Sequence, residues 1–218
     1  MKRLHEPQSN ERKIIDYFFL VLGLFISGVG VAITKKGELG VSPVSSVANI
    51  MSIYVPSVTL GSWRILWNCV LILGQFAVLG KIFRLFQLLQ VPLSFLFGFF
   101  TDFGSWLMSH VECSHYAFRL GCVFAGTMVL AFGIAMTVTA NVIMNSGEAF
   151  VKAITDRFKK EFGTIKIIFD VSCVTISIIL SMIFFDGKIC GTREGTIIAA
   201  IFTGLCVKVF MKLLKLKK

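Results

Sequence analysis

The chain has 218 residues, a formal net charge of +10, 56% hydrophobic residues and a mean hydropathy of +0.81. Only 16% of its residues are charged, compared with about a quarter in a typical globular domain, so the composition excludes an ordinary soluble protein. The basic residues lie between long apolar runs and form no basic stripe interleaved with aromatic residues, which argues against a nucleic-acid partner. The sequence therefore predicts an all-α membrane protein.

Six apolar segments are long enough to cross a bilayer, which requires about 20 mostly apolar residues. The polar residues 1–13 precede the first segment and are predicted to form a cytoplasmic N-terminal segment. No small-residue cleavage site follows the first apolar run, so we expect no removable signal peptide. The six predicted spans are Ile14 to Thr34, Leu60 to Gly80, Phe86 to Ser109, Ala117 to Val138, Thr164 to Phe185 and Gly195 to Leu214.

The distribution of basic residues predicts how the chain is oriented. If the N-terminus is inside, 16 of the 22 Lys and Arg residues lie on the inner side, and basic residues are enriched on the cytoplasmic side of membrane proteins. We therefore expect both termini in the cytoplasm of a bacterial inner-membrane protein. The six basic residues on the outer side are Lys35, Lys36, Arg64, Arg119, Lys188 and Arg193.

Two shorter helices are predicted between spans, and neither is long enough to cross. The first follows Ser42 as N-cap, with Pro43 at the first helical position, and the second opens at Asn145 and Ser146. Both are amphipathic, and both are expected to be interfacial or re-entrant. The polar faces comprise Ser45, Ser46, Asn49 and Ser52 in the first helix, and Glu148, Lys152, Thr155, Asp156 and Lys159 in the second.

The two halves of the chain resemble each other. An offset of 103 residues aligns Gly30, Ala32 and Thr34 with Gly133, Ala135 and Thr137. After a one-residue gap, Gly61, Ser62, Arg64 and Asn68 align with Gly163, Thr164, Lys166 and Asp170. We predict one membrane domain built from two repeats, 14–110 and 116–214, each with three spans and a short helix. Because three is odd, the second repeat is expected to be inverted relative to the first.

Several blocks carry a family resemblance. The strings GLFISGVGVAITKKGELGVSP, NSGEAFVKAI, EFGTIKIIFD and GTIIAAIFTGLCVKVF resemble the YczE/YitT/YyaS-like bacterial integral membrane proteins, closest to the YczE branch. In that family the first short helix usually opens with proline, an aromatic residue and an acid, and the second with a Pro-Arg-Glu-Gly-like string. This chain keeps Pro43 and Glu148, but Ser45 replaces the acid and Ser146-Gly147 precedes Glu148. The resemblance implies a fold and a membrane location rather than an activity.

Seven residues are candidates for a substrate site. Glu148 lies near an interrupted helix terminus, where an acid binds a cationic group or carries a proton; the alternative is a capping box from Asn145 to Glu148. Arg64 and Asn68 are four residues apart, as are Lys166 and Asp170, so each pair lies on one face of its own helix. Because the two pairs occupy equivalent positions in the repeats, they are expected to line one cavity. The alternative is that Lys166 extends to the interface and simply pairs with Asp170. The candidates are Glu148, Asp170, Arg64, Asn68, Lys166, Ser45 and Pro43, with Asp102 ranked lower.

Other chemistry is weakly indicated. The string from His110 to His115 fits no standard zinc spacing, so we expect no metal. Cys113 and Cys190 both fall in predicted outer loops, which permits a disulfide. No nucleophile occurs together with a base and an orienting group, so neither an enzyme nor a cofactor is expected.

The sequence favours a transporter or permease for a small polar or charged solute, working by alternating access between the two repeats. The alternative is a non-transporting regulatory or assembly partner in the membrane. The expected partners are the lipid bilayer and an unidentified small molecule, and a homo-oligomer is left open.

Overall fold

The computed structural model describes residues 14–80, 83, 85–113, 115–140, 142–160 and 162–215, and every regular element in these ranges is a helix. The predicted cytoplasmic segment 1–13 lies outside the described residues. A 3-10 helix, Leu85–Leu89, precedes the fourth α-helix. The α-helices are α1 (Ile14–Lys36), α2 (Pro43–Tyr54), α3 (Leu60–Leu79), α4 (Gln90–Met108), α5 (Tyr116–Ala140), α6 (Ser146–Phe158), α7 (Phe162–Phe184) and α8 (Glu194–Lys215).

The six predicted spans are confirmed as helices, with ends shifted by a few residues. In the described part of the chain, six helical segments are long and apolar enough to cross a membrane. Many large apolar side chains on the spans are exposed, including Leu73 and Phe76 on α3 and Val171 and Ile183 on α7. Apolar residues directed outward from a spanning helix are typical of a lipid-facing surface. The chain is therefore a multi-pass membrane protein.

Helices α1 and α5 form the centre of the fold and make the most extensive contact between any two helices. A Cβ atom added to Gly23 would lie 2.8 Å from the carbonyl oxygen of Gly133, and one added to Gly30 would lie 2.8 Å from the Cα of Leu130. Residue numbers rise on α1 as they fall on α5, so the two helices are antiparallel. Small residues allow this close approach of the two backbones. Helix α4 packs on α1, and α8 packs on α5.

The two short helices lie between α3 and α7. Helix α2 contacts α3 and α7, and α6 contacts the same two spans. Their first turns approach each other, because a Cβ atom added to Gly147 would lie 3.2 Å from a methyl carbon of Val44. The N-termini of both short helices therefore meet inside the protein.

Most of the polar face of α2 is buried inside the protein. Ser45, Ser46 and Asn49 are buried, whereas Tyr54 is exposed. The Ser46 hydroxyl donates to the carbonyl of Cys173 on α7, at 3.2 Å, and the Asn49 amide donates to the carbonyl of Gly191. These bonds satisfy polar groups removed from water and explain why this face points inward.

Candidate functional site

Three buried ionisable side chains and a partly buried lysine lie where α3, α6 and α7 meet. Arg64 lies on α3, Glu148 in the first turn of α6, and Lys166 and Asp170 on α7. Arg64, Glu148 and Asp170 are only 6%, 5% and 3% exposed. Packing of α3 against α6, and of α6 against α7, holds these residues together. Two cations and two anions therefore share the interior of a membrane protein, where charges are costly and usually functional.

Lys166 and Asp170 form an ion pair within α7. The Lys166 Nζ lies 2.5 Å from Asp170 Oδ1 and 5.7 Å from the ring centre of Phe169. Residues four apart share one helix face, and this contact was the alternative that the sequence offered to a role of both residues in lining a cavity. The ammonium of Lys166 and the carboxylate of Asp170 therefore neutralise each other.

Arg64 is held in place but not fully satisfied. Its guanidinium donates to the hydroxyl of Ser45 on α2, and its central carbon lies 4.3 Å from the ring centre of Phe97 on α4. The Arg64 Nε is buried without a hydrogen-bond partner among the described residues. One turn further along α3, the side-chain nitrogen of Asn68 is also buried and unpartnered within the same described ranges. Helix α3 therefore presents two unused donors on one face.

Glu148 supplies the matching acceptor. It occupies the third position of α6, and its Oε2 is buried without a hydrogen-bond partner in the described part of the chain. The carboxylate interacts electrostatically with both Lys166 and Arg64. The side chain of Asn145 accepts from the amide of Ser146 rather than from that of Glu148, so the capping box, which was the alternative interpretation of Glu148, is not formed. Glu148 is thus buried beside the charged residues of α3 and α7.

The structure brings six of the seven candidate residues into this cluster as side chains. Pro43 differs, because it starts α2 and contributes its backbone carbonyl, which accepts from the Ser46 hydroxyl at 2.6 Å. The other six are Ser45, Arg64, Asn68, Glu148, Lys166 and Asp170. We call these six side chains the central polar cluster.

Comparison with known families adds a classification. Residues 14–212 match the model of a family of unknown function, DUF6198. The chain belongs to this family. No curated protein and no solved structure matches the chain. The DUF6198 description gives no link by name to the YczE/YitT/YyaS-like proteins and assigns no function to the family.

A second polar network in this DUF6198 member was missed by sequence reasoning. Gln75 on α3 and Gln90 at the start of α4 exchange two hydrogen bonds, and Gln75 also donates to the carbonyl of Ser146. The Ser94 hydroxyl bonds that of Ser146 at 3.2 Å. A signal was present, since Gln75 lies seven residues after Asn68 on the same face of α3. The network ties the first turn of α6 to α3 and α4.

The lower-ranked candidate, Asp102, has a structural role in the DUF6198 fold. Asp102 accepts from the Thr59 hydroxyl at 2.7 Å and from the amide of Gly61 at 2.9 Å, so it caps the start of α3.

Among the described residues, no group of three His, Cys, Asp or Glu is arranged to hold a metal ion. The thiol of Cys113 lies 3.9 Å from that of Cys122, and Cys113 and Cys190 are both free. A disulfide between Cys113 and Cys190 is therefore not formed.

Proposed function

We propose that this protein is a transporter for a small polar or charged solute, with the central polar cluster as its binding site. The observation that carries the proposal is that three of the ten buried side-chain polar atoms without a hydrogen-bond partner in the described residues belong to this cluster: Arg64 Nε, the Asn68 side-chain nitrogen and Glu148 Oε2. A buried polar atom without a partner costs about 1–3 kcal/mol, and more when charged. A solute that bonds these atoms would recover that cost.

The junction of the two short helices supports a solute site. Their N-termini approach at Val44 and Gly147, and the N-terminal end of a helix carries a partial positive charge. Transporters commonly place substrates where interrupted helices present their ends near the middle of the membrane. The proposed site has this arrangement, with Arg64 and Glu148 beside the junction.

An inverted repeat is the second part of the proposal, and the antiparallel packing of α1 and α5 supports it. Gly23 faces Gly133, and Gly30 faces Gly126. At the offset of 103 residues, Gly133 is the equivalent of Gly30, and Gly126 is the equivalent of Gly23. Reciprocal contacts of this kind are the mark of a two-fold axis. Equivalent helices that run antiparallel would have opposite orientations in a membrane.

Equivalent hydrogen bonds further support the repeat. The Thr101 hydroxyl donates to the carbonyl of Phe97 on α4, and the Thr203 hydroxyl donates to the carbonyl of Ala199 on α8. Each residue of the second pair lies 102 positions after its equivalent. In the proposed mechanism the two repeats rock against each other and open the cluster alternately to each side.

The location is also a proposal. The basic residues favour a bacterial inner membrane with both termini in the cytoplasm, and the resemblance to the YczE/YitT/YyaS-like proteins agrees with a bacterial membrane location. With this orientation α2 lies toward the outer side of the membrane and α6 toward the inner side, and their N-terminal turns meet between the two sides. The central polar cluster then lies between the two solvent entrances.

Uptake by proteoliposomes tests the transport proposal. Purified protein is screened with radiolabelled amino acids and organic anions, and the Glu148→Gln and Asp170→Asn variants are compared with the wild type. We expect uptake of at least one solute and a loss of about tenfold or more in Glu148→Gln, because it loses a charged hydrogen-bond acceptor. Glu112→Gln, which makes the same change on an exposed loop residue, should transport normally.

Two results would contradict the proposal. Uptake unaffected by both acid substitutions would remove Glu148 and Asp170 from the mechanism. Folded protein that transports no solute of the panel would favour a regulatory or assembly partner in the membrane.

A further inference from the structure

The unpartnered atoms of the central polar cluster differ in chemical character. Arg64 Nε and the Asn68 side-chain nitrogen are donors, and Arg64 is a cation. Glu148 Oε2 is an acceptor on an anionic group. All three side chains are more than nine-tenths buried, and the three atoms lack partners in the described residues. A ligand that satisfies all three must offer an acceptor at one end and a donor at the other.

The charges of the cluster limit the net charge of its ligand. Lys166 and Asp170 already neutralise each other at 2.5 Å. Arg64 and Glu148 interact electrostatically, but they are not among the ion pairs within 4.0 Å in the described residues. A purely anionic ligand would pair with Arg64 and leave the buried Glu148 carboxylate without a cation in direct contact. A purely cationic ligand would pair with Glu148 and leave the buried Arg64 guanidinium without an anion in direct contact.

The surroundings favour a carboxylate on the Arg64 side. A guanidinium and an amide nitrogen match the oxygens of a carboxylate, and Ser45 holds the guanidinium from the opposite helix, α2. The Phe97 ring packs against the Arg64 guanidinium and thereby limits its movement. The Glu148 carboxylate is the complementary partner for an ammonium group.

We propose that the transported solute is a zwitterion, with a carboxylate bound by Arg64 and Asn68 and an ammonium group bound by Glu148. This inference rests on the proposed function only in saying that the solute is transported. Binding of a zwitterion to the cluster is a separate property, measurable without any transport.

The test is a binding assay on full-length protein in lipid nanodiscs. Each amino acid of a standard panel is compared with its carboxamide, which lacks the carboxylate charge, and with its N-acetyl derivative, which lacks the ammonium charge. We expect at least one free amino acid to bind, and both of its derivatives to bind about tenfold or more weakly. Each derivative loses one charge-assisted hydrogen bond.

Variants assign each end of the ligand to a residue. Glu148→Gln should lose the preference for the free amino acid over its N-acetyl derivative. Asn68→Ala should weaken the binding of the free amino acid and of its N-acetyl derivative alike, with little effect on the binding of the weakly bound carboxamide. Glu112→Gln, the exposed control, should leave all affinities unchanged. A change in folding would weaken the binding of every ligand together. A change in the preference between a free amino acid and one of its derivatives therefore identifies the contact that the substituted residue makes.

Several outcomes overturn the inference. These are equal binding of the free amino acid and its N-acetyl derivative to the wild type, equal binding of the free amino acid and its carboxamide, and binding of no panel member. Transport of a simple anion without binding of any amino acid would overturn the proposal of a zwitterionic solute and leave the proposed transport function intact. Binding of an amino acid without uptake would support the zwitterion site and contradict the transport function.

Discussion

Gln75 and Gln90 form a closed pair of amides between α3 and α4. The Gln75 nitrogen donates to the Gln90 oxygen at 2.9 Å, and the Gln90 nitrogen donates back at 3.0 Å. Ser177 and Thr192, each 102 residues further along the chain, bond to each other at 2.7 Å. An offset of 102 residues therefore relates two hydrogen-bonded pairs made of different side chains.

Replacement of Gln90 by Leu should destabilise the protein by about 1–3 kcal/mol, because it leaves the buried Gln75 oxygen without its donor. The double variant Gln75→Leu/Gln90→Leu should cost less than the sum of the two single changes, since it removes both partners together. Chemical denaturation in detergent measures the free energies of unfolding. Strict additivity of the two substitutions would contradict a coupled amide pair.

The Lys166 and Asp170 pair should show strong coupling in a double-mutant cycle. Lys166→Met alone leaves a buried carboxylate without its cation, which typically costs about 3–5 kcal/mol. Lys166→Met/Asp170→Leu should recover much of that loss, because apolar replacements of a buried pair are often close to neutral.

The matched control for this cycle is Lys152 and Asp156 on α6, which have the same spacing, lie 3.3 Å apart and are partly exposed. Their coupling should be only about 0.3–0.5 kcal/mol. Thermal unfolding of the purified variants provides the comparison. Equal coupling in the two pairs would show that burial does not strengthen the interaction between Lys166 and Asp170.

Replacement of Gly30 by Ala should weaken the packing of α1 against α5. The added methyl group would lie 2.8 Å from the Cα atom of Leu130 and 2.9 Å from the carbonyl oxygen of Gly126, so the helices must separate, and overpacking of this kind costs about 1–3 kcal/mol. Gly121→Ala, on the same helix pair, places its methyl group where no atom lies within 4 Å and should not destabilise. Equal melting temperatures for the two variants would contradict close contact at Gly30.

The orientation predicts opposite accessibility for two exposed lysines. Lys188 lies in the loop between α7 and α8, on the proposed outer side, and Lys160 lies between α6 and α7, on the proposed inner side. In a background with the six native cysteines changed to alanine, Lys188→Cys should react with a membrane-impermeant maleimide in intact cells. Lys160→Cys should react only after the membrane is permeabilised. The reverse pattern would invert the proposed topology.

The sequence by itself determined the six spans and the two short helices. Spans are recognisable because bilayer thickness sets the length of an apolar run, and that length is a local property of the chain. The short helix at Pro43 was likewise marked by its own N-terminal residues. The pairing of Lys166 with Asp170 was also predictable, since both residues lie on one helix and their spacing fixes the contact.

Tertiary structure alone decided which faces of the short helices are buried. The serines of α2 point inward because the carbonyls of Cys173 and Gly191 are available to them and to Asn49, and those carbonyls belong to distant parts of the chain. For the same reason, the sequence did not reveal that Arg64 bonds Ser45 or that Gln75 pairs with Gln90. Polar side chains removed from water take whatever partners the packing brings within reach, and packing depends on all the helices together.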